Sequence, residues 1–390
     1  MKRSKAKKWI PLFDLTVSPK TKREVSLTLA SGWLTSGPKV AALEKAVSEY
    51  LNVKYAVAVS SGTAGLYLAL RAIGAEKEKE VITTPFTFVA TIEAIMMTGA
   101  TPVFADIDQS TLNIDPEQSI RKISGRTAAI VPVDIAGYPA DYEQLSKICK
   151  ERSLFLLADA AHSFGATFKS KAIPQLSDAA AYSFYSTKNL TSGEGGMVLS
   201  SRKTLIDKVR RLSKHGLTSS TYERVQEKRW GYDVADFGFK ANMSDVHASI
   251  GLGQLTTFEK DQFKRATLAQ RYMKNLSDLS DFLDLPAVEK NYRHGWHLFI
   301  TKLNLSHLKI SRDQFIKLMA NYNIECGVHY KPVFELTYYR KALGLSSESF
   351  PNASKAYRRV VTLPLYPSLK MREVDYICDC IREITRNHAR

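Results

Sequence analysis

Cysteine is scarce in this sequence of 390 residues, and the four that occur form no C-x-x-C pair: Cys149, Cys326, Cys378 and Cys380. Zinc-binding and redox motifs need such pairs, so their absence argues against both kinds of site. We therefore expect reduced cysteines with a packing role, and no metal centre.

Long hydrophobic runs are also missing. No stretch reaches the roughly 18 consecutive apolar residues that a membrane-spanning helix needs, so we expect no membrane partner. The basic start, Met1 to Lys8, is followed by Pro11 and Asp14. These two residues interrupt the apolar core that a secretory signal requires, and the sequence therefore predicts a cytoplasmic protein.

Acidic residues are in the minority: 39 Asp and Glu face 55 Lys and Arg, which gives a formal net charge of +16. Such a surplus can attract nucleic acid, an acidic membrane surface or a polyanionic small substrate, or simply aid solubility. The basic residues are scattered, and zinc-finger, helix-turn-helix and RNA-binding aromatic patterns are absent. We therefore expect no nucleic-acid partner and keep a nucleic-acid-binding regulator only as an alternative.

Short apolar runs alternate with helical patterns through the first part of the chain. Strands are predicted at 55–59, 81–84, 101–107, 126–133, 153–159, 179–185 and 197–199, and helices at 40–51, 86–97 and 140–152. This alternation predicts a parallel sheet with right-handed crossovers. Functional residues of such sheets collect at the carboxyl ends of the strands.

The last third of the chain has a different pattern. A long helix at 259–279 is followed by a mixture of strands and helices, which predicts a smaller α+β unit. We therefore predict a large domain at 12–260, a small C-terminal domain at 261–390 and an N-terminal extension at 1–11.

The strand at 55–59 runs directly into a turn of small residues, Ser60-Ser61-Gly62-Thr63-Ala64-Gly65, and then into a helix. This turn is neither the G-x-x-x-x-G-K-[ST] loop of ATP enzymes nor G-x-G-x-x-G. Free N–H groups and the helix dipole at such a start favour an anion, and glycine lets a phosphate approach. The turn is a candidate phosphate site, with an ordinary helix N-cap as the alternative.

Two further strand ends carry candidate catalytic groups. Lys188 lies in a polar, glycine-rich loop, where it is either a solvated charge or an amine whose proton is removed by burial or imine formation. Asp159 ends the strand 153–159, and its local sequence favours a helix N-cap. The alternatives are a metal ligand, with His162 nearby, and a counter-charge for a protonated ring nitrogen of a cofactor.

The phosphate turn, Asp159 and Lys188 occur in the order that pyridoxal phosphate requires. The turn would hold the phosphate, Asp159 would keep the pyridine nitrogen protonated, and Lys188 would form the imine. The protonated ring would then stabilise a carbanion as an electron sink.

With these residues in place, the chain resembles the nucleotide-sugar aminotransferases of the DegT/DnrJ/StrS group, in fold type I of the pyridoxal-phosphate-dependent enzymes. The resemblance implies an α/β large domain with a mostly parallel seven-stranded sheet flanked by helices, plus a smaller α+β C-terminal domain. The matching motifs extend over nearly the whole chain: 32–38 (GWLTSGP), 60–63 (SSGT), 85–91 (PFTFVAT), 159–162 (DAAH), 188–190 (KNL), 193–196 (GEGG), 238–243 (GFKANM), 329–332 (HYKP) and 363–367 (LPLYP).

The resemblance also implies roles for single residues. Lys188 would be the Schiff-base lysine and the proton shuttle, and Asp159 would pair with the pyridine nitrogen. The other cofactor contacts would come from Phe88 on the ring face, Gly62, Thr63 and Ser183 at the phosphate, His162 beside the phenolic oxygen and Lys240 at the phosphate of a neighbouring subunit. Many relatives have glutamine at position 162 and asparagine at position 240.

The predicted reaction moves an amino group from an amino acid, with glutamate expected, to a keto group of a nucleotide-linked sugar for amino-sugar or surface polysaccharide biosynthesis. The sugar nucleotide would face residues of several loops: Trp33, Leu34, Thr35, Ser36, Tyr185, Asn189, His329 and Tyr330. A homodimer with shared active sites is implied. The alternative enzyme is a pyridoxal-phosphate-dependent sugar dehydratase, but such relatives have histidine in place of the lysine found at position 188.

Overall fold

The computed structural model describes residues 8–390, so the basic start and most of the predicted N-terminal extension lie outside the described residues. The α-helices are α1 (Pro19–Ala30), α2 (Pro38–Tyr50), α3 (Gly62–Ala72), α4 (Ala90–Met97), α5 (Pro116–Ile120), α6 (Tyr142–Glu151), α7 (Lys203–Leu212), α8 (Thr221–Gln226), α9 (Asp245–Leu255), α10 (Phe258–Leu276), α11 (Arg312–Asn321), α12 (Thr337–Ala342), α13 (Pro351–Arg359) and α14 (Met371–Asn387). The strands are β1 (Tyr55–Val59), β2 (Glu80–Thr83), β3 (Thr101–Phe104), β4 (Thr127–Ile130), β5 (Phe155–Asp159), β6 (Thr167–Phe168), β7 (Lys171–Ala172), β8 (Ala179–Ser183), β9 (Gly196–Ser200), β10 (Leu283–Asp284), β11 (Tyr292–Arg293), β12 (Phe299–Leu303) and β13 (Val360–Leu363).

The central sheet has seven strands in the order β1-β9-β8-β5-β4-β2-β3. Strands β3, β2, β4, β5 and β8 pair in parallel, whereas β9 is antiparallel to both β8 and β1. Because β9 is antiparallel to both neighbours, β1 and β8 point the same way. The predicted, mostly parallel sheet is confirmed, and its exception arises where the chain returns from β8 to β9 without a crossover helix.

Small residues let helix α3 pack closely on this sheet. Strand β8 begins with three alanines, and a Cβ added to Gly65 of α3 would lie 3.2 Å from Val198 and 3.7 Å from Ala181. The close packing fixes α3, and therefore its amino end, against the middle of the sheet.

A second core lies around the three-stranded sheet β10-β12-β13. Helices α10, α11 and α14 supply much of this core, and Ile10 joins it by pairing with Ile324. Helix α10 connects the two cores, since Phe258 packs in the first and Leu268 in the second. The predicted domain boundary at residue 260 stays a prediction.

Helix α4 begins at Ala90, four residues later than predicted, since residues 85–89 form a bend with Phe86 fully buried. The four cysteines are free, and three of them are buried. No helix within residues 8–390 is long and apolar enough to cross a membrane. In that same part of the chain, no three His, Cys, Asp or Glu side chains form a group that could hold a metal ion.

Candidate active site

The carboxyl ends of β1, β5 and β8 bring the predicted groups to one edge of the sheet. Strand β5 places Asp159 opposite Ala181 of β8, and Gly196 of β9 pairs with both Ser183 and Val59. The phosphate turn, Asp159 and the loop that carries Lys188 therefore leave the sheet on the same side.

The phosphate turn is capped and still has open N–H groups. Ser61 is the N-cap of α3, and its Oγ accepts a hydrogen bond of 3.1 Å from the Ala64 N–H. The N–H groups of Gly62 and Thr63 are in the first turn and have no intrahelical acceptor. A Cβ on Gly62 would lie 2.9 Å from the Ser183 Cβ, so glycine is needed for this close approach. The two readings of the turn, N-cap and anion site, are compatible.

Asp159 is buried and accepts two hydrogen bonds. Thr91 Oγ1 donates to Oδ2 at 2.7 Å, and the Ala161 N–H donates to Oδ1 at 3.2 Å. Burial raises the pKa of the Asp159 carboxyl, while both hydrogen bonds and the Lys188 charge act to lower it. The helix N-cap favoured by the local sequence is wrong, because the chain after Asp159 forms turns and no helix begins there in the described structure.

Lys188 is partly buried in the loop between β8 and β9, unlike a solvated loop charge. The pKa of its amine is lowered to about 8, chiefly because the surrounding protein replaces water, while the Asp159 carboxylate opposes this shift. A substantial fraction of the amine is therefore neutral near pH 8, as a nucleophile or a base requires.

Aromatic side chains form one wall of the site. His162 is buried, its Nε2 lies 2.9 Å from the Tyr330 hydroxyl, and its Nδ1 is buried with no partner among the described residues. Burial, followed by the Lys188 and His329 charges, holds the pKa of His162 well below its ordinary value, so the ring is neutral. The Phe88 ring lies 5.9 Å from that of Tyr330, and 57% of Phe88 is exposed.

His329 is the fourth ring of this wall. Its Nδ1 lies 2.8 Å from Thr362 Oγ1, and its ring packs edge-on against Tyr330. Burial and then the Lys188 charge lower the pKa of His329 to about 4. Like His162, it is a neutral hydrogen-bonding group at physiological pH.

The loop from Trp33 to Ser36 is held by the segment before α9. Ser36 Oγ donates to Met243 O and accepts a hydrogen bond of 2.6 Å from Asn242 Nδ2. The Asp245 N–H lies 3.2 Å from the carbonyls of both Leu34 and Thr35. Leu34 and Thr35 are exposed at the top of the loop, and the Trp33 ring packs edge-on at 5.2 Å against Tyr222.

The remaining predicted residues lie around this edge. Tyr185 is exposed, whereas Asn189 is half-buried and its Nδ2 donates to Gly295 O. Lys240 is exposed, and its ammonium donates to Asn242 Oδ1. The Ser60 N–H donates to Ala241 O at 2.7 Å, which places the backbone next to Lys240 beside the phosphate turn of its own chain.

Two residues of the site are not indicated by the sequence motifs. Thr91 lies within the motif 85–91, but only the structure shows that its hydroxyl reaches Asp159. The His297 ring lies 4.5 Å from that of His162, and its Nδ1 is also buried without a partner among the described residues. No local signal in the sequence marks His297 as a residue of the site.

These groups fit pyridoxal phosphate. Two open amides lie where a phosphate would bind, an exposed aromatic face is available for ring stacking, and the His162 Nδ1 is buried without a partner among the described residues. A buried polar atom without a partner is costly, so a ligand oxygen at that point would relieve a penalty.

Comparison with known proteins supports this fit. The sequence model of the DegT/DnrJ/EryC1/StrS aminotransferase family matches residues 16–382. The spore coat polysaccharide biosynthesis protein SpsC of Bacillus subtilis (strain 168) is 41% identical over 366 residues, which cover 93% of this chain and 94% of SpsC.

Solved structures with the same fold include sugar aminotransferases. Spr1654 of Streptococcus pneumoniae in its PMP form superposes with a TM-score of 0.91 at 30% identity, covering 97% of this chain and 99% of Spr1654, and its PLP form has also been solved. Helicobacter pylori PseC, an aminotransferase involved in the biosynthesis of pseudoaminic acid, gives a TM-score of 0.90 at 26% identity, covering 97% of this chain and 100% of PseC.

Proposed function

Because the chain belongs to the DegT/DnrJ/EryC1/StrS aminotransferase family, we propose that it transfers an amino group from L-glutamate to a keto group of a nucleotide-linked sugar. Family and structural neighbours make it a pyridoxal-phosphate-dependent sugar aminotransferase of fold type I. The proposal goes beyond this in three respects, which are the identity of the amino donor, the nucleotide linkage of the sugar and the roles of single residues. The name of SpsC supports a product destined for a surface polysaccharide.

One observation carries the proposal: Asp159 ends β5 opposite Ala181 of β8, and Lys188 lies in the loop that follows β8. The charges of the two groups accordingly shift the pKa of each other. The two groups have opposite tasks in this chemistry. Lys188 has to lose its proton, and Asp159 has to remain an anion beside a protonated ring nitrogen. Burial assists the first task, and the hydrogen bonds from Thr91 and Ala161 assist the second.

Pyridoxal phosphate, when bound, supplies an aldehyde that can join an amine and a ring that withdraws electrons. Lys188 Nζ would attach to the aldehyde at rest, and once displaced by the amino acid it would take a proton from the donor carbon. The same Nζ would return a proton when the amino group passes to the sugar carbon. The lowered pKa of about 8 suits a group that both accepts and donates a proton near neutral pH.

The other residues would orient the cofactor. The N–H groups of Gly62 and Thr63, with the Ser183 hydroxyl, would bind the phosphate at the amino end of α3, where the helix dipole favours an anion. Phe88 would stack on the ring. The neutral His162 would offer Nδ1 to the phenolic oxygen, because its Nε2 is already paired with Tyr330.

The sugar nucleotide would bind over the exposed loop from Trp33 to Ser36, with Tyr185, Asn189, His329 and Tyr330 around it. His329 and Tyr330 offer hydrogen-bonding groups in a partly buried setting, which suits the hydroxyls of a sugar. The net charge of +16 favours the approach of an anionic nucleotide over long range.

We further propose a homodimer with shared active sites. Four exposed aromatic residues, Trp230, Tyr232, Phe237 and Phe239, precede Lys240 in the chain, and Trp230 and Phe237 are 91% and 86% exposed. Exposed aromatic groups at this density are typical of a surface that is covered by a partner. Lys240, beside this surface, would then supply its charge to a cofactor phosphate. The cytoplasmic location expected from the sequence stays a prediction.

No feature of the site favours a dehydratase. Such an enzyme would have histidine in place of the lysine, and this chain has Lys188.

The function is tested by adding pyridoxal phosphate to the purified protein and reducing the complex with borohydride. Mass spectrometry should find the cofactor on the peptide that contains Lys188. The trapped complex should not form if glutamate is added first, because the donor converts the cofactor to its amine form. A panel of nucleotide keto-sugars then identifies the acceptor, and a protein that binds no cofactor would refute the proposal.

A further inference from the structure

Helix α10 carries a buried amide below the Lys188 loop. Gln262 is 3% exposed, and its Nε2 donates to His294 O at 3.2 Å and to Gly295 O at 2.8 Å. These two carbonyls belong to the short segment between β11 and β12. Gln262 therefore fixes this segment to the helix that connects the two cores.

Asn189, the residue after Lys188, shares one of these two partners, the Gly295 carbonyl. Its Nδ2 donates to Gly295 O and lies 3.3 Å from Gln262 Oε1. The Asn189 and Gln262 amides thus hold one carbonyl oxygen between them and also bond each other. This closed set of contacts joins the Lys188 loop to α10 directly.

The same segment also supports the loop that carries His162. The Gly295 N–H donates to Gly137 O at 2.7 Å, and the His297 N–H donates to Ala136 O at 3.0 Å. A Cβ added to Gly137 would lie 2.7 Å from His162 O, so the two loops are in close contact. Residues 294–297 therefore connect Gln262 with the Lys188 loop and with the loop that contacts His162.

Burial of an amide costs free energy unless its hydrogen bonds are satisfied, and an apolar side chain would fill the same space without that cost. What the amide adds is geometry, since two donors and one acceptor fix the directions of three partners. We propose that Gln262 is a positioning residue for Lys188, holding Asn189 and Gly295 so that the Lys188 amine stays directed toward Asp159. This inference rests on the proposed function.

The first test uses the cofactor-free protein, so it does not depend on turnover. Acetic anhydride is applied over a range of pH, and mass spectrometry follows acetylation of Lys188. The wild-type midpoint is expected at about 8. In Gln262→Leu the loop is released, Lys188 gains water, and the midpoint should move upward by about one pH unit. Gln270→Leu is the matched control, since Gln270 is an exposed residue of the same helix, and its midpoint should equal that of the wild type.

The second variant, Gln262→Glu, separates positioning from packing. An ionised carboxylate would face two carbonyl oxygens and repel them, whereas the protonated form can donate one hydrogen bond to Gly295 O. Turnover of the cofactor-bound variant should approach the wild-type value at low pH and fall progressively as pH rises, with kcat reduced roughly tenfold or more and KM little changed. A residue that only fills space would give no such additional pH dependence.

The outcomes are distinct from failure of the proposed function. Absence of borohydride trapping on Lys188 in the wild type would remove the function and this inference with it. Trapping in the wild type, together with an unchanged acetylation midpoint in Gln262→Leu and a wild-type pH profile in Gln262→Glu, would overturn the inference alone. If Gln262→Leu does not fold, the pH dependence of turnover in Gln262→Glu decides whether Gln262 positions Lys188.

Discussion

Thr91 Oγ1 donates a hydrogen bond of 2.7 Å to Asp159 Oδ2 and so joins helix α4 to the end of strand β5. Both side chains are buried, and Thr91 Oγ1 is also 3.0 Å from Thr87 Oγ1. Burial alone would favour a neutral Asp159 carboxyl, which could not balance a protonated ring nitrogen. The Thr91 hydroxyl offsets that tendency at the oxygen it contacts.

Replacement of Thr91 by valine should therefore weaken the enzyme without changing the shape of the site. Loss of a hydrogen bond to a charged group costs about 1.5–3 kcal/mol, which corresponds to a roughly 10- to 100-fold loss in kcat/KM if the charge acts in the transition state. Steady-state kinetics of Thr91→Val would measure this loss.

A matched control is Thr98→Val. Thr98 follows the same helix and is buried, and within residues 8–390 its hydroxyl bonds only Ile95 O and the Ala100 N–H. Thr98→Val should lower thermal stability and leave kcat/KM unchanged. Equal kinetics for the two variants would mean that the Thr91–Asp159 contact has no part in the reaction.

Lys188→Ala should abolish borohydride trapping and retain pyridoxal phosphate noncovalently, because the phosphate turn and Phe88 are untouched. Turnover should fall by at least the roughly 10²- to 10⁴-fold that a general acid–base contributes. Absorbance of the retained cofactor and steady-state kinetics check the two outcomes. Lys203→Ala, at the exposed start of α7, is the control and should behave as the wild type. Trapping on another lysine in Lys188→Ala would contradict the assignment.

The pKa of Lys188 also predicts a pH dependence of stability in the cofactor-free protein. The folded value of about 8 lies below the ordinary value of 10.5. Between these values the unfolded chain binds more protons, so the contribution of Lys188 to the free energy of unfolding rises with pH. Below pH 8 the Lys188 amine is charged in both the folded and the unfolded chain. It then lowers the free energy of unfolding by its full amount, at most about 3 kcal/mol.

Lys188→Met removes the ionisable group and should therefore be more stable than the wild type at pH 8. The difference should shrink as pH approaches 10.5, which urea unfolding of both proteins at several pH values would measure. Because other alkaline effects act on both proteins, only the difference is informative. A difference independent of pH would mean that the Lys188 amine has an ordinary pKa.

Local sequence predicted the strands and the site because each depends on neighbours in the chain. The apolar run of β5 delivers Asp159, and the small residues at 60–65 begin α3. Contacts between segments that are distant in the chain leave no local pattern from which they could be predicted. Asp245 caps helix α2 from across the sequence by accepting hydrogen bonds from the N–H groups of Gly37, Lys39 and Val40.

The same limit explains the mistaken N-cap at Asp159. A carboxylate followed by small residues resembles a helix start, and the shorter of its two hydrogen bonds comes from Thr91, which precedes it by 68 positions. Gln262 shows a similar case, since its contact with Asn189 spans 73 positions. Such polar partners become visible only once the fold has placed them together.

Lys240 offers two possible sites of action. Its neighbour Ala241 binds the Ser60 backbone, so Lys240 lies near the phosphate turn of its own chain. The segment with the exposed Trp230 and Phe237 also leads to Lys240, and a second copy that covers these residues would place Lys240 near the partner's site. The proposed shared site requires the second arrangement.

Mixing two inactive variants distinguishes these arrangements. Lys188→Ala removes the amine, and Lys240→Glu should repel a phosphate, so each homodimer alone should be nearly inactive.

If Lys240 acts on the partner's site, each mixed dimer contains one site with both native lysines, because both defects fall together in the other site. Random assortment of equal amounts should then restore roughly a quarter of the wild-type activity. If Lys240 acts within its own chain, each site of the mixed dimer carries one defect and no activity returns. Coexpression with two affinity tags isolates the mixed dimer, and its specific activity, expected at about half the wild-type value, decides between the two arrangements.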